Sequence, residues 1–570
     1  MLIDLRSGSE GLNEAVGIQH HNLNGDGSFF GLIRSPYHHE IPVDATGKFS
    51  TNIRDYANYY VNDSVCIMDN ASQRFSIARD WPGNTMLYYW FGAAKNCNRL
   101  VVSDDIRVFP QRIANLGISK HGIRMYFENP NHLHSYTIYE RVEILPPGFY
   151  LDFDLANGGL SVKPWFQFKH NITVKSYKQA VDLFRAAIDD SIQRLVSKDD
   201  TIALMFSGGS DSALLLDRLV SLGFRNVSIF NVAVGGRVTE SERAKRVADY
   251  YDVNLECIEV SPKQAFKDWL DITDKIYMGP RVSRINGWSA ALASLYKKLH
   301  EQFDGKPIKV MWGFVHPFHA PYVRVERMPF IFMAYSLLRL FPTTDGKVLN
   351  RFGHFALQLL SKNNYINKRK ITQSQLPAIE SVIADCFDHL VHPDELVNLK
   401  LILGYTRMKE WTMHRFRTIP NLYYAEARNI FPFYDRRFQE TTVTMSLRSR
   451  FGGFMKWLKM SSTESRKNLT IQAVEKDVPR SFFLGGNYES RPDWRKLYEN
   501  KACYSAIIEF LSQPKFKKLI EYLTEQNLLT LPGSYDEFLH LNWEKVYELS
   551  GAVILLAHLD PDKIDLSSLH

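Results

Sequence analysis

The sequence predicts an α/β protein: a β-rich N-terminal part, then a doubly wound parallel sheet, then a helical C-terminal region. Three observations predict it. Short runs of β-branched and aromatic residues, cut by Asp, Asn, Gly and Pro, fill the chain to about residue 165. From about residue 176, apolar strand-like runs alternate with helical spacing. From about residue 355 the pattern is mainly helical. At 570 residues, more than one core is expected. The expected units are 1–165, 176–490 and 491–570.

In the first unit, residues 64–68, 75–78, 86–91 and 100–103 read as strands between turn-forming residues, and 148–153 alternates after the Pro146-Pro147 turn. The second unit opens with helical spacing of Ala180, Leu183, Phe184, Ala187, Ile188, Ile192 and Leu195. Apolar runs at 202–206, 227–234, 254–260 and 308–312 read as buried strands. Between them, 240–251 places Ala244, Val247, Ala248 and Tyr251 on one helix face. Strands alternating with helices predict a sheet whose ligands sit at the strand C-terminal ends. Helices are expected at 504–511 and 516–529, and the C-terminal unit shows no recognisable chemistry. No repeat or low-complexity tract occurs.

Composition excludes several classes. With 45% hydrophobic and 23% charged residues the chain is ordinary for a soluble globular protein. A net charge of +7 is mild for this length, and no dense basic run with interleaved aromatics points to nucleic acid. The cysteines (Cys66, Cys97, Cys257, Cys386 and Cys503) are scattered and odd in number, without a C-x-x-C pair, so neither disulfide framework nor cysteine zinc site is indicated. The N-terminus lacks a basic-then-apolar signal pattern. No clean run of about 20 apolar residues occurs; 328–341 is apolar but contains Arg339. A cytoplasmic location, away from membranes, is expected.

The most informative segment joins the run at 202–206 to Ser207-Gly208-Gly209-Ser210-Asp211-Ser212 and then to an apolar helical run. Glycines let the backbone approach a ligand, and N–H groups at a helix start attract phosphate. The hydroxyls of Ser207 and Ser212 add donors, and Asp211 suits Mg2+. The alternative is a strand-to-helix turn without a ligand. The spacing is not the Gly-x-x-x-x-Gly-Lys-Ser/Thr of Walker-type sites.

This loop resembles the SGGxDS loop of the PP-loop ATP pyrophosphatases, which break ATP between its α- and β-phosphates. Three further segments narrow the likeness. Arg79-Asp80-Trp81-Pro82-Gly83, Leu87-Tyr88-Tyr89 and Ser103-Asp104 resemble the "RD..G...LYY...SE" pattern of the class II asparagine synthetases, and 138–148 is similar to the strand pair closing their glutaminase domain. Glu426-Ala427-Arg428 with 431–435 resembles "EAR.PFLD", and Lys467, Leu469, Ala473, Val478 and Pro479 resemble "K.LR.A....LP". The likeness spans about residues 60–485. It implies an N-terminal sandwich of degenerate Ntn glutaminase type followed by a PP-loop synthetase domain.

The departures bear on function. Glutamine-dependent members start with a nucleophilic cysteine; here residue 2 is Leu2 and the first cysteine is Cys66. Glutamine hydrolysis has no visible nucleophile, as in the β-lactam synthetases and lasso-peptide cyclases of the family. The family's "SGEGADELFGGY" falls on 312–322, where Gly313 and Tyr322 fit, but Phe314 and Pro317 replace the glutamate and a metal-binding aspartate. His316 and His319 stand nearby, either as ligands for a metal other than Mg2+ or as hydrogen-bonding loop residues. His20-His21 and His38-His39 read as surface or turn residues.

The resemblance implies ATP and Mg2+ as cofactors, with a small-molecule or peptide carboxylate and an amine as substrates. It implies pyrophosphate held by Ser207, Gly208, Gly209, Asp211 and Ser212, adenine flanked by Phe206 and Val232, and nucleotide contact by the Gly313 backbone. Asp211 would hold the metal. Lys467 would be the catalytic cation, the alternative for it being an exposed helix lysine. The amine is left open among ammonia, a second substrate and the same molecule, and a homodimer or pathway partner is left open too. Two other functions compete: a nucleotide-binding pseudoenzyme, and a tRNA-modifying enzyme such as a lysidine synthetase.

Overall fold

A computed structural model describes residues 2–6, 14–16, 18–22, 29–33, 52–59, 64–81, 85–94, 97–119, 137–165, 173–234, 238–261, 264, 267–268, 287–313, 427–445, 449–450, 462–474, 478–479, 481–484, 505, 508–509, 512–525 and 533–537. The N-terminal part forms two antiparallel sheets. One has five strands in the order β2-β1-β8-β7-β9, with β1 Leu2–Arg6, β2 Glu14–Val16, β7 Tyr88–Ala94, β8 Cys97–Ser103 and β9 Val142–Ile144. The other has six in the order β11-β10-β6-β5-β4-β3, with β3 Ile18–Asn22, β4 Phe29–Ile33, β5 Ser64–Asp69, β6 Arg74–Ala78, β10 Phe149–Asp154 and β11 Leu160–Pro164. Alternation in β10 buries Phe149, Leu151 and Phe153 on one face. Phe153 meets Phe91 of β7 edge to face at 6.2 Å, which brings the two sheets together. The helices α1, Ile53–Tyr59, and α2, Phe109–Arg112, complete this part. Of the strand pair expected over 138–148, β9 forms, while Tyr139 makes only an isolated bridge to Ile118.

The Arg-Asp-Trp segment ties these sheets together. Arg79 is wholly buried and donates to the carbonyls of Thr85 at 2.6 Å and Leu145 at 2.7 Å. Burial pulls its guanidinium down to about 10, opposed by the charge of Asp80. Asp80 accepts from the Ser64 hydroxyl and the Thr85 N–H. Trp81 packs against Trp165 at 6.4 Å, and Trp165 donates to the Arg79 carbonyl. Gly148, at φ +76°, leaves room for the Trp81 ring, since a Cβ there would fall 2.9 Å from it.

The second part is a parallel sheet in the order β14-β13-β12-β15-β16, with β12 Ile202–Met205, β13 Val227–Val234, β14 Leu255–Val260, β15 Ile308–Trp312 and β16 Ala427–Ile430. Taken in chain order this is 3-2-1-4-5, the doubly wound order. The four strands expected from sequence are present. The fifth, β16, lies where the sequence reads as helical, and that expectation is corrected. Its Ala-Arg-Asn-Ile has no β-like pattern, and its conformation comes from pairing with β15 over Ile308–Ala427 to Met311–Ile430.

Helices cover this sheet. Helix α3, Tyr177–Leu195, buries Ala180, Phe184, Ala187, Ile188 and Ile192, the spacing of one apolar face. Helix α4, Ser210–Ser221, is buried from residue 210 through 219, all round, as a helix between layers must be. Two of its buried polar residues pair inside: Asp217 accepts from Tyr251, and Arg218 binds Asp189 at 2.7 Å. The helices α5, Val238–Tyr251, and α6, Gly287–Gln302, follow. After β16, Asp435 caps α7, Arg436–Val443, and pairs with Arg194 of α3. The family-like segment 431–435 is thus a turn and a helix cap. Then come α8, Ser462–Ala473, packed on α3 and α4, with α9, Ser481–Leu484, and α10, Pro514–Glu525. Helix α10 matches the first ten residues of the helix expected over 516–529, and 526–529 lie outside the described residues. No described helix is long and apolar enough to cross a membrane.

The two parts touch. The linker N–H groups of Thr173 and Val174 reach the Thr444 carbonyl after α7, and Trp81 Nε1 donates to Gln439 Oε1 on α7 at 3.1 Å. Gln439 is fully buried. Trp81→Phe removes this donor and leaves a buried acceptor, so it is expected to cost about 2 kcal/mol in a chemical denaturation curve of the full chain.

Candidate functional site

The doubly wound order places its switch point between β12 and β15, where chain connections leave in opposite directions and a crevice opens beyond the strand ends. Residues 207–212 leave β12 there, and Gly313 leaves β15. The site expected from sequence therefore lies at the place where such sheets bind ligands.

Backbone contact fixes the loop on both sides. Gly208 has φ +67°, and a Cβ on it would fall 2.7 Å from the N and Cα of Ala244 and 2.8 Å from the Arg243 carbonyl carbon. A Cβ on Gly313 would fall 2.8 Å from Ser212 N and 2.9 Å from Ser212 Cα. The start of α4 is thus held between α5 and the end of β15 with no room for side chains at those two points. The first i to i−4 bond of α4 runs from Ala213 N to the Gly209 carbonyl, so the N–H groups of 210–212 precede any intrahelical acceptor. Ser212 donates its hydroxyl to the Gly209 carbonyl at 3.1 Å and lies 3.4 Å from the Ser207 hydroxyl, which accepts from Gly209 N. Ser210 is fully buried, and its hydroxyl has no partner among the described residues. Asp211 is 5% exposed in the first turn.

Behind the loop stand residues that sequence reasoning missed. Asn231 of β13 donates Nδ2 to the Phe206 carbonyl at 2.8 Å, and its Oδ1 accepts from the Ser241 hydroxyl at 2.8 Å. Arg243 of α5, 8% exposed, donates Nε and Nη2 to the Ser207 carbonyl at 3.2 and 3.1 Å. One signal for Asn231 was present in the sequence: an amide inside the apolar run 227–234 must find partners when buried. Nothing comparable marks Arg243. Beyond Gly313's strand, Asn429 Oδ1 accepts from Trp312 Nε1 at 2.9 Å and from the Tyr296 hydroxyl. Burial pushes the Tyr296 phenol well above its ordinary range.

The structure brings together Ser207, Gly208, Gly209, Asp211, Ser212 and Gly313. Val232 is half-buried on β13, the strand beside β12. Phe206 turns its ring into the core at 1% exposure, and its N–H and carbonyl are held by the Phe230 carbonyl and Asn231. Gly313 meets the α4 backbone, which is a packing reason for a glycine there. Lys467 lies on α8, the helix packed against α4; its side chain falls outside the described residues. So do Phe314, His316, Pro317, His319 and Tyr322.

The chain was compared with known proteins. No curated protein matches the chain. Among solved structures, the chain is similar to NMN synthetase from Francisella tularensis, at 13% identity over 41% of this chain and 96% of that one, TM-score 0.20. It is similar to the U34-tRNA thiolase NcsA from Methanococcus maripaludis with its 4Fe-4S cluster, at 13% identity over 41% and 78%, TM-score 0.18. A predicted tRNA methyltransferase subunit from Methanocaldococcus jannaschii matches at 17% identity over 32% and 73%, TM-score 0.14. The asparagine synthase family model matches residues 183–301, the stretch from α3 into α6 that contains the Ser207–Ser212 loop, and this match supports an ATP-using ligase or transferase.

Proposed function

We propose that the protein is an ATP-dependent ligase that activates a carboxylate as an acyl-adenylate and joins it to an amine. The observation that carries this reading is the placement of Ser207–Ser212 at the switch point of a 3-2-1-4-5 sheet, inside the segment matching the asparagine synthase family.

A carboxylate oxygen attacks the α-phosphorus of ATP, and the bond to the bridging β-phosphate oxygen breaks, releasing pyrophosphate. The amine then attacks the acyl carbon, gives up a proton, and AMP leaves with the carboxylate oxygen. In this chain the N–H groups at the start of α4 and the Ser207 and Ser212 hydroxyls hold the departing pyrophosphate. Fixed donors aimed at charge that develops during reaction need no reorganisation, which is why they accelerate it. Lys467, on the neighbouring helix, is assigned to the charge on the reacting phosphoryl group.

Asp211 with the two hydroxyls is an oxygen-only donor set, which fits Mg2+. Among the described residues no group of three or more His, Cys, Asp or Glu is placed to hold a metal alone. A cation at Asp211 would therefore be shared with substrate phosphates, whose negative charge it would offset. The amine is taken to be free ammonia or an amine on a substrate.

A second reading, a nucleotide-binding pseudoenzyme, is favoured by one observation: Phe314 and Pro317 stand where the resembled family has acidic residues. Exchange of labelled pyrophosphate into ATP, run with a panel of carboxylic acids, separates the two. Acid-dependent exchange is expected. Tight ATP binding with no exchange for any acid would favour the pseudoenzyme.

Two substitutions follow. Asp211→Asn is expected to lower exchange about a hundredfold or more with little change in melting temperature. Gly208→Ala is expected to destabilise by at least about 2 kcal/mol, because its φ is left-handed and its Cβ meets backbone, and to abolish pyrophosphate binding measured by calorimetry.

A further inference from the structure

The loop carries two peptide planes whose orientation is set from behind. Every described peptide bond is trans, so within one planar unit the C=O and the following N–H point in opposite directions. Asn231 holds the Phe206 carbonyl, which turns the Ser207 N–H away from β13. Arg243 holds the Ser207 carbonyl with two donors, which turns the Gly208 N–H away from α5. Neither N–H has an acceptor among the described residues. The Phe206 carbonyl fixes the sense of the Asn231 amide: it can only accept, so Nδ2 faces it, and the Ser241 hydroxyl donates to Oδ1.

We infer that Asn231 and Arg243 are positioning residues that aim the Ser207 and Gly208 N–H groups at a bound phosphate. This rests on the reading of 207–212 as a phosphate seat and extends it to residues outside the loop. Consecutive N–H groups without protein acceptors among the described residues, at a turn where Gly208 is left-handed at φ +67°, can form an anion-binding concavity, continued by the N–H groups at the start of α4. The buried, unpartnered Ser210 hydroxyl in the same turn is a further polar group in want of a ligand. Arg243 acts twice. Its charge-assisted bonds lock the plane, and its fixed cation lies one peptide unit behind the anion, adding attraction without touching it. That attraction matters in a chain with Phe314 and Pro317 at the positions of family carboxylates, where less bound metal charge is available.

The probe is inorganic pyrophosphate with Mg2+, titrated calorimetrically into the full chain, with melting temperature measured in parallel. Asn231→Asp keeps the shape but sets a carboxylate oxygen against the Phe206 carbonyl, and Arg243→Met keeps the stem but removes donors and charge. Each is expected to weaken binding about tenfold or more, while the melting temperature stays within a few degrees. Arg243→Lys, which retains the charge and one donor, is expected to return to within about threefold of wild type. Folded Asn231→Asp and Arg243→Met proteins that bind like wild type would overturn the inference. So would an Arg243→Lys protein as weak as the Met variant, since charge and donor would then not be what acts. If Arg243→Met does not fold, the Asp and Lys variants decide alone. A folded wild-type protein that binds no pyrophosphate would overturn the phosphate seat itself, and the positioning role with it.

Discussion

Two contacts between backbones, each made where a glycine leaves no room for a side chain, set the geometry of this protein's centre. Gly208 rests on Ala244 of α5, and Gly313 rests on Ser212 of α4. Together they clamp the first turn of α4 between a helix and a strand end. The rest of the second part serves that clamp. The strand order brings β12 and β15 side by side, and a buried α4 demands layers on every side, which α3 and α8 supply. Because interiors are close-packed, a shift at either glycine would propagate into the sheet rather than be absorbed locally.

Much of this was legible in the sequence, and for a physical reason. The loop, α3 and the strands β12, β13, β14 and β15 are written in local patterns: glycines where backbone must bend, apolar residues at period 3.6 or in short runs. Strand β16 was not, because Ala-Arg-Asn-Ile becomes a strand only through its partner β15, more than a hundred residues away. The roles of Asn231 and Arg243 were hidden likewise. Each is defined by the carbonyl it reaches, across 25 and 36 positions of chain, and no spacing rule encodes that. Phe206 shows the converse limit. It sits beside the loop, but burial turns its ring into the core, so its likeness to an adenine-flanking position says nothing about which of its atoms face a ligand.

The two family-like motifs with the clearest local signatures differ in one property, whether their polar groups are satisfied within the protein. In the N-terminal part, the Arg79 guanidinium is bonded to two carbonyls, Asp80 to a hydroxyl and an N–H, and Trp81 to Gln439 of the other part. Packing explains every one of these residues without a ligand. In the Ser207–Ser212 loop the pattern is reversed. Its carbonyls at 206 and 207 are held by side chains from behind, while the Ser207 and Gly208 N–H groups and the Ser210 hydroxyl have no partner among the described residues. Burying polar groups without partners is costly, typically about 1–3 kcal/mol each, and a fold keeps such groups where something else completes them. Held carbonyls beside open N–H groups are the arrangement an anion can occupy. The likeness of the Arg-Asp-Trp segment to a glutaminase motif is therefore compatible with a purely structural role, as the joint between the two parts. The loop, in contrast, keeps N–H donors without protein acceptors among the described residues, which is consistent with the phosphate seat proposed for it.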